Sequence, residues 1–145
     1  VSAYFDTSVV VQWYVLEAGS AAAVAWRTRT APPVLLSPFH RVELTAALRL
    51  KVFRRELSAI AATQALGDFE AEVQAGLFEP AELAPVAWCR RAEDLADAYS
   101  DKLGVRSLDV MHVASALELK CREFVTADQR QGELAKACRL KVTKL

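Results

Sequence analysis

The sequence predicts an α/β domain in which a few short parallel strands are covered by helices. Three observations carry this. Brief apolar runs such as Ala3-Tyr4-Phe5, Val34-Leu35-Leu36 and Phe124-Val125-Thr126 have the length and continuity of strands buried on both faces. Longer segments of helical character separate these runs, and strands so separated pair in parallel. The chain has 145 residues, is 53% apolar and has only 5 Gly and 5 Pro, which suits one domain over residues 1–145 and excludes disordered and linker-rich chains.

The elements follow in order. Ala3-Tyr4-Phe5 is a strand with Asp6 at its C-terminal end. Thr7 and Ser8 stand where caps belong, before a short helix over Val9 to Leu16. Gly19 and Ser20 interrupt it, and the Ala-rich stretch Ala21 to Arg29 reads as a second helix. Pro32 and Pro33 end that unit, and Val34 to Leu36 form the next strand. Ser37-Pro38 reads as an N-cap followed by proline at the first helical position, opening a helix to about Arg54. Ser58 caps a helix over Ala59 to Gln74, which Gly76 stops. Leu77 and Phe78 read as a very short strand. Pro85 precedes a helix from Val86 to Leu103, ended by Gly104. Ser107 caps a helix over Leu108 to Lys120, with Asp109 in its first turn. Glu123 to Thr126 is a strand, Gln129 to Cys138 a helix, and Leu140 to Thr143 the last strand.

The 18 basic and 18 acidic residues cancel, so the chain is no general polycation, and any positive surface for nucleic acid must be local. Cys89, Cys121 and Cys138 form no C-x-x-C pair and are odd in number, which argues for buried thiols in a reducing, cytoplasmic setting and against a disulfide framework or structural zinc. No apolar stretch is long enough to span a membrane. The run from Val1 to Val11 contains Asp6 and lacks a basic flank, unlike a signal peptide.

Ligands of open α/β sheets bind beyond the C-terminal strand ends. Asp6 ends its strand and Asp128 follows the strand that ends at Thr126 after one residue, while Glu43 and Asp109 are carried by helices. Asp6, Glu43 and Asp109 also stand among apolar neighbours, where a carboxylate needs a cation, hydrogen bonds or a metal ion. Taken singly, Asp6 and Asp128 read as helix caps, Asp109 as a carboxylate favoured by the helix dipole, and Glu43 as a solvated helix residue. Gathered together without a lysine run, the four argue for a hard divalent cation, Mg²⁺ or Mn²⁺.

Four segments carry a resemblance: Tyr4-Phe5-Asp6-Thr7-Ser8, Ser37-Pro38-Phe39-His40-Arg41-Val42-Glu43, Arg106-Ser107-Leu108-Asp109-Val110-Met111-His112-Val113-Ala114-Ser115-Ala116-Leu117, and Phe124-Val125-Thr126-Ala127-Asp128. The chain resembles the PIN domain family, and within it the VapC-like toxin ribonucleases of toxin–antitoxin pairs. The third segment is the most specific. The resemblance covers nearly the whole chain and implies a three-layer fold with a short parallel sheet of about five strands. It further implies a Mg²⁺- or Mn²⁺-dependent endoribonuclease, a homodimer, and a cognate antitoxin protein as partner. Asp6 and Asp109 would be the strongest metal ligands, Glu43 and Asp128 would complete the pocket, and Thr7, Ser8 and Thr126 would offer hydroxyls. The segment from Leu57 to Trp88 carries no diagnostic residues.

The implied reaction is hydrolysis of an RNA phosphodiester by a metal-activated water, leaving a 5′-phosphate and a 3′-hydroxyl. The acids would serve mainly as metal holders, since an ordinary carboxylate is a poor base at neutral pH. His112 shares a helix face with Asp109 and reads either as a support of the pocket or as a core histidine. His40, three residues before Glu43, reads as a solvated helix residue, with a place flanking the site as the alternative. RNA needs basic side chains: Arg106 and Arg130 lie beside the third and fourth acids, and Arg41, Arg49, Lys51, Arg54 and Arg55 are further candidates. Glu93, Asp94, Asp97 and Asp101 read as a solvated helix face with Arg90 and Arg91. Trp13, Tyr14, Trp26 and Trp88 read as core, with a partner interface as the alternative. Two other functions stay open: a non-catalytic PIN scaffold that binds RNA or a protein, and an aspartyl-nucleophile phosphatase, which the Ser8 position disfavours.

Overall fold

The computed structural model describes residues 3–145, so Val1 and Ser2, where the opening apolar run begins, lie outside the described residues. In chain order the elements are β1 (Ala3–Phe5), α1 (Thr7–Tyr14), α2 (Ser20–Arg29), β2 (Val34–Leu36), α3 (His40–Phe53), α4 (Ala59–Gln74), β3 (Phe78–Pro80), α5 (Pro85–Leu103), α6 (Ser107–Glu118), β4 (Glu123–Thr126), α7 (Gln129–Ala137) and β5 (Lys141–Lys144). The α/β class and the parallel pairing stand as expected. The five strands divide between two sheets, one of three and one of two. The backbone likewise forms two compact units, one joining the chain up to Asp6 with Ala81–Leu145, the other spanning Thr7–Pro80.

In the first unit the strand order is β1-β4-β5, all parallel. Tyr4 stands opposite Phe124 and Phe5 opposite Val125. All four are at most 1% exposed, which is why their runs are continuously apolar. Tyr4 and Phe124 stack at 5.6 Å between centroids. α7 packs on β4 and β5, and α5 packs on α6 and α7. Pro85 is the first residue of α5, where its missing N–H costs nothing. Gly104 ends that helix at φ +68, a left-handed conformation that other residues adopt at a cost. Trp88 is buried with its indole N–H donating to Met111 O at 3.3 Å. The acids Glu93, Asp94, Asp97 and Asp101 are exposed on α5 as expected, while Arg91 pairs across to Glu118 at 2.8 Å.

In the second unit β2 and β3 pair in parallel, Val34 opposite Phe78 and Leu36 opposite Pro80. α1 contacts α2, α3 and α4. It buries Val9, Val10, Val11 and Trp13, whose indole N–H donates to Ala23 O at 2.8 Å. α1 stops at Tyr14, two residues short of the predicted end. The Ser20 hydroxyl accepts from Glu17 N–H at 2.7 Å and donates to Val15 O at 3.0 Å, which closes a turn there. Ser58 caps α4 as predicted, accepting from Ala61 N–H at 3.0 Å.

Several predicted caps are corrected: Thr7 and Ser8 lie inside α1, which starts at Thr7, and Ser37 and Ser107 do not cap their helices. α3 begins at His40, because Ser37 is held in a turn: its N–H donates to His40 Nδ1 at 2.8 Å, and His40 N–H returns to Ser37 O at 3.2 Å. His40 is therefore buried at 1% exposure, not solvated, and its neutral ring carries its proton on Nε2. Ser107 is the first residue of α6 rather than its cap. Arg106 occupies that place, and its N–H donates to Asp109 Oδ2 at 2.8 Å, so the third-position carboxylate replaces the expected hydroxyl. Among the described residues no helix is long and apolar enough to cross a membrane.

Candidate acidic site

The parallel register that puts Phe5 opposite Val125 carries Asp6 to the level of Thr126, and Asp6 N–H extends the pairing to Val125 O at 3.2 Å. Both side chains are fully buried, and Thr126 Oγ1 donates to Asp6 Oδ2 at 2.6 Å. The same Oγ1 accepts Asp128 N–H at 2.9 Å. Asp128 caps α7, its Oδ1 accepting Gln131 N–H at 3.0 Å. The Gln131 side chain then turns to α6, where Nε2 donates to Asp109 Oδ1 at 3.1 Å. One hydrogen-bonded path thus joins three of the four predicted acids at the C-terminal ends of β1 and β4.

The fourth, Glu43, belongs to the second unit, where Thr7 Oγ1 donates to its Oε1 at 2.7 Å. Ser8 is half-buried in the first turn of α1. His112 is fully buried on α6 with Nδ1 at 2.9 Å from the Tyr4 hydroxyl, the core position that sequence reading offered for it.

The basic candidates differ in availability. Arg106 is largely exposed, with its Nε 3.8 Å from Asp109 Oδ2. Arg130 is exposed on α7. Arg41 is paired with Glu70 and lies over the Phe69 ring at 5.4 Å, and Lys51 is engaged by Glu17 and Glu56. Arg49 donates to Thr63 Oγ1 at 3.2 Å.

Sequence reading missed Gln131. It is 8% exposed, and its Oε1 is one of two buried side-chain polar atoms without a partner among the described residues. The signal was present in Asp128-x-x-Gln131, the spacing of a capping box.

Among the described residues no three His, Cys, Asp or Glu side chains converge closely enough to chelate a metal ion by themselves. That disfavours a dehydrated, all-carboxylate cage. Mg²⁺ characteristically keeps several waters and takes only one or two carboxylates. Two buried aspartates, with a neighbouring amide oxygen that lacks a donor, fit that hydrated mode.

The fold has solved counterparts. FitAcB from Neisseria gonorrhoeae is similar with a TM-score of 0.69 at 18% identity, over 98% of this chain and 96% of that one. VapC20 from Mycobacterium tuberculosis, a toxin that cleaves the sarcin–ricin loop, is similar with a TM-score of 0.61 at 16% identity, over 85% of this chain and 87% of that one. No curated protein sequence matches the chain. The profile of the PIN domain covers residues 3–137, nearly the full length and all four acid-bearing segments. By that match the chain belongs to the PIN domain family.

Proposed function

We propose that the chain is a Mg²⁺- or Mn²⁺-dependent endoribonuclease that hydrolyses RNA phosphodiester bonds, and that it is the toxin of a type II toxin–antitoxin pair. The observation that carries this is the path from Asp6 through Thr126, Asp128 and Gln131 to Asp109. Buried carboxylates held by dedicated donors at strand ends are costly to the fold and suited to a cation. When bound, the divalent ion supplies an activated water and neutralises charge on the phosphate. Asp6 and Asp109 would hold the ion beside Asp128, all three within one compact unit, and Glu43 stays a candidate ligand carried by the other. Thr126 orients Asp6, and Thr7 orients Glu43. Ser8 and His112 support these elements from α1 and α6.

Charge distribution supports an RNA substrate. Residues 120–145 contain 7 Lys and Arg against 3 Asp and Glu, so the neutral chain concentrates positive charge in its last segment. Exposed Arg130 lies on α7, and Lys136 and Lys144 line a groove of about 260 Å³ between α7 and β5. Arg106 adds a cation beside Asp109. For partners, α3 and α4 expose Phe53 and Ile60, each at 84%, apolar surface suited to an antitoxin helix or a second copy of the chain. The likeness of fold to the toxin VapC20 supports the toxin assignment.

One observation favours a second reading, a non-catalytic scaffold. Asp109 and Asp128 each perform a structural task at a helix start, and among the described residues no three acids converge. Labelled RNA with Mn²⁺ or with EDTA separates the two. Cleavage that needs Mn²⁺ and is lost in Asp6→Asn and Asp109→Asn supports the nuclease. Equal cleavage in EDTA, or none under any condition, refutes the metal mechanism.

A further inference from the structure

The start of α7 contains a diverted capping box. In Asp-x-x-Gln, the Gln side chain ordinarily reaches back to accept the backbone N–H of the capping residue. Here Asp128 keeps its half of the exchange, accepting Gln131 N–H at 3.0 Å. The reciprocal bond is absent, because Asp128 N–H is taken by Thr126 Oγ1 at 2.9 Å. Gln131 is thereby released from its local partner. Its Nε2 spans to Asp109 Oδ1 at 3.1 Å, and its Oε1 is left buried without a donor.

The orientation of the amide follows from this bond. Gln131 Nε2 donates to Asp109 Oδ1, so the NH₂ end faces the carboxylate and the oxygen faces elsewhere. A buried carbonyl without a donor is costly, and natural folds retain few of them. The other such atom, Gln12 Oε1, packs against Gly19, where a built Cβ would lie 2.7 Å away. Gln131 Oε1 instead belongs to the same amide that holds a predicted metal ligand.

We propose that Gln131 is a positioning residue of the acidic site: Nε2 fixes Asp109, and Oε1 accepts a hydrogen bond from a water carried by the divalent cation. The proposal rests on the metal-dependent reading above. It assigns the missing donor to the hydrated cation, and it explains why the amide is neutral. A carboxylate at this position would repel Asp109 whenever the ion is absent.

The test is Mn²⁺ binding by calorimetry together with melting temperature in EDTA and in Mn²⁺, which need no substrate. Gln131→Met keeps length and removes both polar atoms. It is expected to weaken Mn²⁺ binding at least about 10-fold, as loss of supporting groups around a metal does, while the melting temperature in EDTA holds or rises. Gln131→Glu is expected to melt lower in EDTA and to show a larger Mn²⁺-induced rise than the native protein. Asp109→Asn serves as the control for the site itself. If the native protein binds Mn²⁺, Asp109→Asn does not, and Gln131→Met binds as tightly as native, the proposal is overturned and the nuclease reading survives. If the native protein binds no Mn²⁺, both fall. Should Gln131→Met fail to fold, Gln131→Glu decides: a Mn²⁺-induced rise no larger than native overturns the proposal.

Discussion

Thr126 Oγ1 donates to Asp6 Oδ2 at 2.6 Å, joining residues 120 positions apart. The same oxygen accepts Asp128 N–H, so one buried hydroxyl spends its donor and an acceptor lone pair on acid-bearing residues. Thr126→Val keeps the shape and removes both bonds. It should destabilise the protein by about 2 kcal/mol, since a buried carboxylate and a backbone N–H each lose a partner. Thr126→Ser should retain most of that stability. Urea unfolding of the two variants checks it, and equal stabilities would refute the role.

Asp128 separates structure from chemistry. As the cap of α7 it accepts Gln131 N–H, a task that asparagine performs nearly as well. Asp128→Ala should cost about 1 kcal/mol, and Asp128→Asn much less. If Asp128 serves the proposed site, Asp128→Asn should still lower RNA cleavage at least about 10-fold, because it removes the charge. Undiminished cleavage at native stability would limit Asp128 to capping.

Two glycines should respond in opposite senses to alanine. A Cβ at Gly132 would lie 3.5 Å from both Thr126 Cγ2 and Val142 Cγ1, ordinary contact inside α7. Gly132→Ala should therefore stabilise by about 0.5–1 kcal/mol. Gly104 has open space but φ +68, and Gly104→Ala should cost about 1 kcal/mol through backbone strain. Denaturation midpoints check both signs.

Alkaline pH should weaken the fold through Cys121. Burial pushes its thiol up from 9.0 to about 11. The folded state then keeps a proton that the unfolded chain has lost, so this contribution is full below about pH 9 and disappears as pH rises through 11. Tyr14 acts in the same direction, raised by burial and by its bond to Glu72. Urea unfolding between pH 8 and 11 should show the decline, and Cys121→Ala should flatten it. At pH 8 an alkylating reagent should label exposed Cys89 and spare Cys121 in the native protein.

Much of this was legible in the chain. The strands around Tyr4-Phe5, Val34-Leu36 and Phe124-Val125 could be read because strands buried on both faces must be apolar without alternation. The acids that end β1 and follow β4 could be read because that is where an open parallel sheet places its ligands. Ser58, Pro85 and Gly104 marked helix ends through local chemistry alone.

What only the folded chain decided is which partner, near or distant, each of these side chains takes. His40 reads as solvated in the sequence, yet its ring accepts the Ser37 backbone N–H and is buried. Asp109, not Ser107, satisfies the start of α6, because its carboxylate at the third helical position accepts the N–H of Arg106. Asp128-x-x-Gln131 spelled a capping box, but Thr126 arrives from β4 to take one of its bonds, and the amide crosses to Asp109, 22 residues away. Local patterning specifies which groups need partners. Only the folded chain, by bringing competing donors and acceptors within 3 Å or so of one another, specifies which partner each group takes.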